Sequence, residues 1–240
     1  MKKPPAFDRT DNHLLGALPA KVYERLSPHL VRLSFKIGDV LYAPGQRLAQ
    51  VYFPTTCMVS LTYTMSNGAS GEMAVVGPEG IVGFAVFMGG GSTPSRAILQ
   101  TSGDALRMPA AVLKEEFGRG DALQELLLRY AQALITQMSQ TAVCNRHHSL
   151  EQQMCRWLLL SQDRLRSLEL AMTQELIASM LGVRRESVSH AAKRLQVLGV
   201  IRYEHGHITI LKRRSLETMV CECYRVIKDE YERLLGKTER

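Results

Sequence analysis

Between residues 30 and 110 apolar and polar positions alternate in short runs. "VRLSFKIGDVLYAPGQ" alternates and then breaks at Gly38-Asp39 and Pro44-Gly45. "VYFPTTCMVSLTYTM" ends at Ser66-Asn67-Gly68, and "SRAILQTSGDALRMP" reads as two short strands around Ser102-Gly103-Asp104. Period-two runs punctuated by turn residues at roughly ten-residue spacing predict an antiparallel sandwich or barrel.

From Asp121 the period lengthens. "DALQELLLRYAQALITQMSQTAVCN" holds no glycine or proline, and Leu123, Leu127, Tyr130, Leu134, Met138 and Thr141 recur three or four apart. This predicts one helix over 121–145, capped by Asp121 and about 37 Å long at ~1.5 Å per residue. Its apolar stripe needs a partner: either its own domain or, as expected here, a two-stranded seam through Leu127 and Leu134. A polar break at Asn145–His148 predicts a hinge, and Leu150, Met154, Trp157, Leu158 and Leu165 mark a further amphipathic helix.

"TQELIASMLGVRRESVSHAAKRL" (173–195) reads as two helices around a glycine turn. Thr173 caps the first, and Ile177, Met180 and Leu181 form its apolar side. Gly182 permits the positive φ of a sharp turn. The second helix starts near Arg184 or Arg185 and turns Val188, Ala191, Ala192 and Leu195 inward. Arg185, Glu186, Ser189, His190 and Lys193 are left outside. "LGVIRYEHGHITIL" then gives two short strands around Gly206. A helical hairpin with a polar second helix and a small β-wing predicts a winged helix-turn-helix. The fold class is therefore α+β. An N-terminal antiparallel β-roll (1–120) is expected to be followed by a long dimerisation helix and hinge (121–147) and by a winged helix-turn-helix domain (148–240).

Charge supports this reading. The net charge of +7 is concentrated between Arg146 and Arg214, where 12 Lys/Arg face 6 Asp/Glu. A localised basic excess suits a phosphate-binding surface. The start "MKKPPAFDRTDNHLL" has prolines and charges where a signal peptide needs an apolar stretch, and no run approaches the ~18–20 apolar residues of a membrane helix. The cytoplasm is the expected compartment, without membrane association. No Ser/His/Asp or metal-ligand constellation appears at useful spacing, so an enzyme is not expected. The five cysteines, an odd number at irregular spacing, argue against a disulfide framework. Cys221 and Cys223 form the only close pair. They read as two small residues on a packed terminal helix rather than half a metal site, since no second Cys or His pair lies nearby in sequence.

Taken together, the chain resembles the cAMP receptor protein/FNR (Crp/Fnr) family of bacterial transcription regulators over about residues 15–225. The resemblance is carried by Gly38, Asp39, Leu41, Tyr42 and Gly45, by "GPEGIVG" (77–83), by the long helix and by "TQELIASMLGVRRESVS". It implies a cyclic-nucleotide-binding-like jelly roll that senses a signal. It also implies a homodimer on a palindromic site in double-stranded DNA, acting on RNA polymerase. The family's base-reading positions fall on Arg185, Glu186 and His190, with Ser189 beside them. Thr173, Ser187 and Arg184 would hold phosphates, and Lys193, Arg213 and Arg214 would add charge. His190 stands where many relatives carry arginine.

The sensor departs from the cyclic-nucleotide pattern. Gly80-Ile81-Val82 replaces the Gly-Glu-Leu that binds ribose, and Glu79 precedes the glycine. Arg96-Ala97 follows Ser95, so the phosphate stretch has the wrong order. Met138-Ser139 stands at the Thr-Ser pair that meets the base. Cyclic AMP is therefore not expected as the effector. With no cysteine before Cys57, an iron–sulfur cluster is not expected either. Haem, with His13, His29, His147 or His148 as ligand, and another small effector stay open.

Overall fold

The structure is a computed structural model and describes residues 8–165, 167 and 169–236. The first elements are helices α1 (His13–Ala17) and α2 (Ala20–Leu26), then strands β1 (Val31–Phe35), β2 (Val40–Tyr42), β3 (Gln50–Pro54), β4 (Val59–Thr64) and β5 (Ser70–Val76). Strands β6 (Arg96–Leu99) and β7 (Gly103–Pro109) lead into α3 (Ala110–Phe117), α4 (Ala122–His147) and α5 (Leu150–Leu165). Strand β8 (Glu169–Ala171), helices α6 (Gln174–Leu181) and α7 (Arg185–Val197), strands β9 (Ile201–Glu204) and β10 (His207–Ile210), and helices α8 (Arg213–Met219) and α9 (Cys223–Leu235) complete the chain. The described residues fall into two compact units, one of 8–59 and 76–131, the other of 60–75 and 132–236.

In the first unit β7 pairs antiparallel with β1 on one side and β3 on the other. The period-two pattern does the work expected of it. Val51 and Phe53 of β3 stand opposite Met108 and Leu106 of β7, and all four are buried. Strand β2 pairs antiparallel with β6. The α1–α2 segment was not anticipated from the sequence. Asn12 fixes it, accepting from the Leu15 N–H while its amide donates to the Pro54 and Gly80 carbonyls at 2.9 Å.

The start of α4 packs into this unit. Asp121 accepts from the Leu123 N–H at 3.0 Å, as expected of the cap, and pairs with Arg25. Tyr130, fully buried, donates to the Ile81 carbonyl at 3.1 Å. Its ring lies so close to Gly80 that an added Cβ would stand 2.5 Å from the phenol oxygen. Gly80 is thus required by close approach of a helix side chain.

In the second unit β4 and β5 form a hairpin whose turn closes through Gly68, at φ 85°. Gln137 of α4 donates to the Val75 carbonyl at 3.0 Å and accepts from Arg164 of α5 at 2.7 Å. Arg156 of α5 donates to Thr141 of α4 at 3.0 Å. These bonds satisfy buried polar groups and lace β5, α4 and α5 together.

Two expectations for α4 are corrected. The helix runs on through Asn145, Arg146 and His147, so the hinge shrinks to His148–Ser149. Leu127 and Leu134, expected in an intermolecular seam, are 0% and 1% exposed within their own chain. The stripe left in solvent is the neighbouring one. Leu128, Ile135 and Ala142 recur every seven residues with Val143 beside them, and all four are exposed. Among the described residues no helix is long and apolar enough to cross a membrane.

Replacing Gly80 with alanine should force Tyr130 off its position. We expect a loss of about 1–3 kcal/mol, the usual cost of overpacking, read as a lower urea midpoint in chemical denaturation. An unchanged midpoint would show that the Tyr130 ring yields without cost.

Candidate DNA-contacting surface

Thr173 begins the surface. Its side chain accepts from the Leu176 N–H at 3.2 Å and closes the first turn of α6. Such a cap leaves the hydroxyl hydrogen available to donate outward. Gly182 ends α6 at φ 66°, in the left-handed region, with its N–H on the Ala178 carbonyl. Arg184 then occupies the cap position of α7 in extended conformation, with no side-chain cap bond. The first N–H groups of α7 are therefore left without a side-chain acceptor. A helix start in that condition attracts anions.

Val188, Ala191, Ala192 and Leu195 are buried, each at 2% exposure or less. They pack α7 against α5, α6 and β9. Arg184, Arg185, Glu186, His190 and Lys193 are exposed, and Ser187 and Ser189 are half-buried. Among the described residues, no hydrogen bond or ion pair engages the side chains of Arg184, Arg185, Glu186, His190 or Lys193. Ser189 differs. Its hydroxyl lies 2.5 Å from Gln174 Oε1 and 3.2 Å from the Arg185 carbonyl, so its donor is committed to holding α6 and α7 together. Gln174 was not picked out from the sequence, although it stands directly after the cap residue.

The wing has three strands where the sequence predicted two. β10 lies between β9 and β8, in antiparallel register with both. Its turn places His205 at φ 51° and Gly206 at φ 79°. Tyr203 pins the wing to the helical pair. Its N–H donates to Gln196 Oε1 at 2.6 Å and its hydroxyl to the Met172 carbonyl at 2.8 Å. Burial pushes the Tyr203 phenol up to about 12, against a smaller opposing pull from Arg185.

The expected charge donors separate. Arg214 is exposed. Arg213 is instead consumed internally, with Asp163 at 2.8 Å, Glu217 at 2.9 Å, Gln162 at 2.9 Å and the Tyr224 hydroxyl at 2.8 Å. Arg194 likewise pairs with Glu151 of α5.

Two domain families match the chain in this order. Residues 32–119 match the cyclic nucleotide-binding domain, and residues 152–219 match the Crp-like helix-turn-helix domain. The chain belongs to the Crp/Fnr family. Like other Crp/Fnr chains it joins a β-sheet domain of the cyclic nucleotide-binding type to a long helix and a C-terminal helix-turn-helix, the architecture of a transcription regulator. Similar solved structures share the fold. FixK2 from Bradyrhizobium japonicum aligns with a TM-score of 0.70 at 18% identity, over 80% of this chain and 98% of its own. The c-di-GMP responsive global regulator CLP of Xanthomonas campestris aligns at 0.65 and 16%, over 80% and 99%. A variant of CooA from Carboxydothermus hydrogenoformans aligns at 0.58 and 13%, over 80% and 88%. No curated protein sequence matches this Crp/Fnr chain.

The first unit also locates the residues that depart from the cyclic-nucleotide pattern. Ile81 is fully buried. The Glu79 side chain turns back to accept from the Gly77 N–H at 3.1 Å. Ser95 is buried with its hydroxyl 3.0 Å from that of Thr93, while Arg96 stands exposed on the opposite face of β6. Of the histidines left open as haem ligands, His147 is exposed, and His148 sits among cysteines in the second unit.

Ser189→Ala should remove the bond between α6 and α7 and cost about 0.5–1.5 kcal/mol. Thr173→Ala should cost about 1 kcal/mol through the lost cap. Lys193→Ala, on an exposed side chain with no partner among the described residues, should leave thermal stability unchanged. Differential scanning fluorimetry of the three variants checks this ordering.

Proposed function

We propose that the chain is a sequence-specific DNA-binding regulator that acts as a homodimer on a palindromic promoter site and passes its signal to RNA polymerase. The observation that carries this is the start of α7, where, among the described residues, the exposed side chains of Arg184, Arg185, Glu186 and His190 engage no hydrogen bond or ion pair and the helix has no side-chain cap. Side chains left free on a rigid helix cost little to reorient toward a ligand.

Each residue takes the role its chemistry suits. Arg185 donates a bidentate pair to guanine O6 and N7, and Glu186 accepts from cytosine N4. His190, one turn further along, reads the adjoining base pair. The Thr173 hydroxyl, Ser187 and Arg184 hold phosphates, and Lys193 and Arg214 add charge without sequence preference. Ser189 acts through Gln174: with its hydroxyl committed, it orients that amide and does not itself read a base. A binding protein, and not an enzyme, is the reading these residues support.

The domain division follows the same reading. A sensor of residues 1–120, a connecting helix of 121–147 and a DNA-binding domain of 148–240 are the functional parts we assign. Ile81 in place of a ribose-binding carboxylate, and Arg96 on the solvent face of its strand, support a sensor that does not answer to cyclic AMP.

For the dimer we assign the exposed heptad Leu128, Ile135 and Ala142, flanked by Val143. Replacing Leu128 and Ile135 with glutamate should convert the dimer to a folded monomer in analytical ultracentrifugation. Replacing the buried Leu127 and Leu134 should unfold the chain instead. A doubly substituted Leu128/Ile135 variant that still sediments as a dimer would place the interface elsewhere.

Base readout is tested by binding-site selection at fixed salt. Arg185→Ala should relax preference at one base pair per half-site and cost about 1–3 kcal/mol there. Lys193→Ala should weaken all sequences alike and reduce the salt slope by about one unit. If both variants select an intact motif, α7 does not read bases.

A further inference from the structure

Outside the helix-turn-helix surface, one cluster of chemically competent side chains has no role in the reading above. Cys144, His148, Cys221 and Cys223 present three Sγ atoms and one imidazole nitrogen, all within 4.8 Å of one another. The Cys144 and Cys221 sulfurs are 3.6 Å apart, and the Cys223 sulfur lies 3.6 Å from His148 Nδ1.

Tetrahedral zinc binds sulfur at ~2.3 Å and imidazole nitrogen at ~2.0–2.1 Å. The edges of such a tetrahedron are then about 3.8 Å between two sulfurs and about 3.5 Å between sulfur and nitrogen. Both measured edges fall between these values. We propose that Cys144, His148, Cys221 and Cys223 form a closed Cys3His site for a single zinc-type divalent ion.

The local structure explains how the four converge. Cys144 lies in the last turn of α4, and His148, the first residue past its end, donates its N–H to the Cys144 carbonyl at 3.0 Å and so stays beside it. Cys221 precedes α9 and Cys223 is its first residue. Gln153 donates to the carbonyls of both Cys144, at 3.4 Å, and His148, at 2.9 Å, and so ties α5 to the point where α4 stops. Glu222 lies between the two C-terminal cysteines and sets a carboxylate oxygen 3.3 Å from His148 Nε2. That is the outer contact a metal-bound histidine usually makes: Nε2–H donates to the carboxylate, which fixes the tautomer that leaves Nδ1 as the ligand atom.

The donor set identifies the class of ion. Three sulfurs and an imidazole exclude calcium and magnesium, which take oxygen. Four atoms confined within 4.8 Å enclose one ion and leave no room for the several irons of a cluster. Four protein ligands leave no open position, so the site is structural and not catalytic. All three cysteines are at most 3% exposed. Binding releases the thiol protons to solvent as the sulfurs take up the metal. Cys144 and Cys221 are 77 positions apart, and α5 through α8, including both helices of the helix-turn-helix and the wing, lie between them. The ion closes that stretch at its base.

The test uses the full-length chain purified under reducing conditions. Elemental analysis should find about one zinc per chain, and cobalt titration should saturate at about one equivalent with the sulfur-to-metal charge-transfer and strong visible bands of a tetrahedral thiolate site. Cys223→Ser and His148→Ala should each cut retained metal by about tenfold or more, whereas Glu222→Gln should weaken affinity roughly 10–100-fold and keep the cobalt spectrum. Cys155→Ser removes a buried cysteine outside the cluster and should retain full occupancy. The wild-type titration stands even if a variant folds poorly. Absence of zinc together with failure to take up cobalt would overturn the site. So would a Cys144–Cys221 disulfide in the reduced preparation, or loss of metal in Cys155→Ser with retention in Cys223→Ser. None of these readouts depends on DNA binding.

Discussion

What the C-terminal unit offers to solvent is decided by the burial of one stripe on α7. Val188, Ala191, Ala192 and Leu195 are removed from water against α5, α6 and β9. At ~100° per residue, that choice leaves Arg185, Glu186, His190 and Lys193 nowhere to go but outward. The two alanines matter for their size, because they allow the helix to sit close to its neighbours. Gly182 sets the entry direction, Tyr203 braces the wing against the same body, and Ser189 bonds across to Gln174. The elements that carry the polar surface are thus tied together, although among the described residues the side chains of Arg185, Glu186, His190 and Lys193 engage no hydrogen bond or ion pair.

In the first unit the corresponding constraint is the approach of Tyr130 to Gly80. The segment that would hold a ribose in nucleotide-binding relatives is tied by its backbone to α4 and to Asn12. Ile81 is directed into the core. Fully buried, Ile81 contributes packing to that segment.

Elements that depend on neighbours in sequence could be read from it. The helix-turn-helix was legible because its cap, its glycine and its apolar spacing all lie within 23 residues (173–195). The strands of the roll were legible from alternation and turn residues. The exposed stripe of α4 was not. Adjacent stripes through Leu127/Leu134 and Leu128/Ile135 are both apolar, and periodicity cannot say which one the chain covers with its own residues. Strand β8 has only three residues and exists by pairing with β10. Arg213 looks like any other surface cation until Asp163 and Tyr224 are brought beside it. The cysteine cluster is the extreme case: Cys221 and Cys223 read as a packed pair, and their neighbours Cys144 and His148, at and just past the end of α4, lie more than seventy positions earlier.

The commitment of the Ser189 hydroxyl to Gln174 bears on how much information a single copy of this surface can hold. With that donor spent, Arg185, Glu186 and His190 remain as the outward groups of base-reading type on the first turns of α7. In the proposed readout three side chains would address only a few base pairs, far too few to single out one address in a chromosome. A word that short becomes unique only when it is spelled twice at fixed spacing. On the proposed readout, pairing two chains would supply the second half of that word.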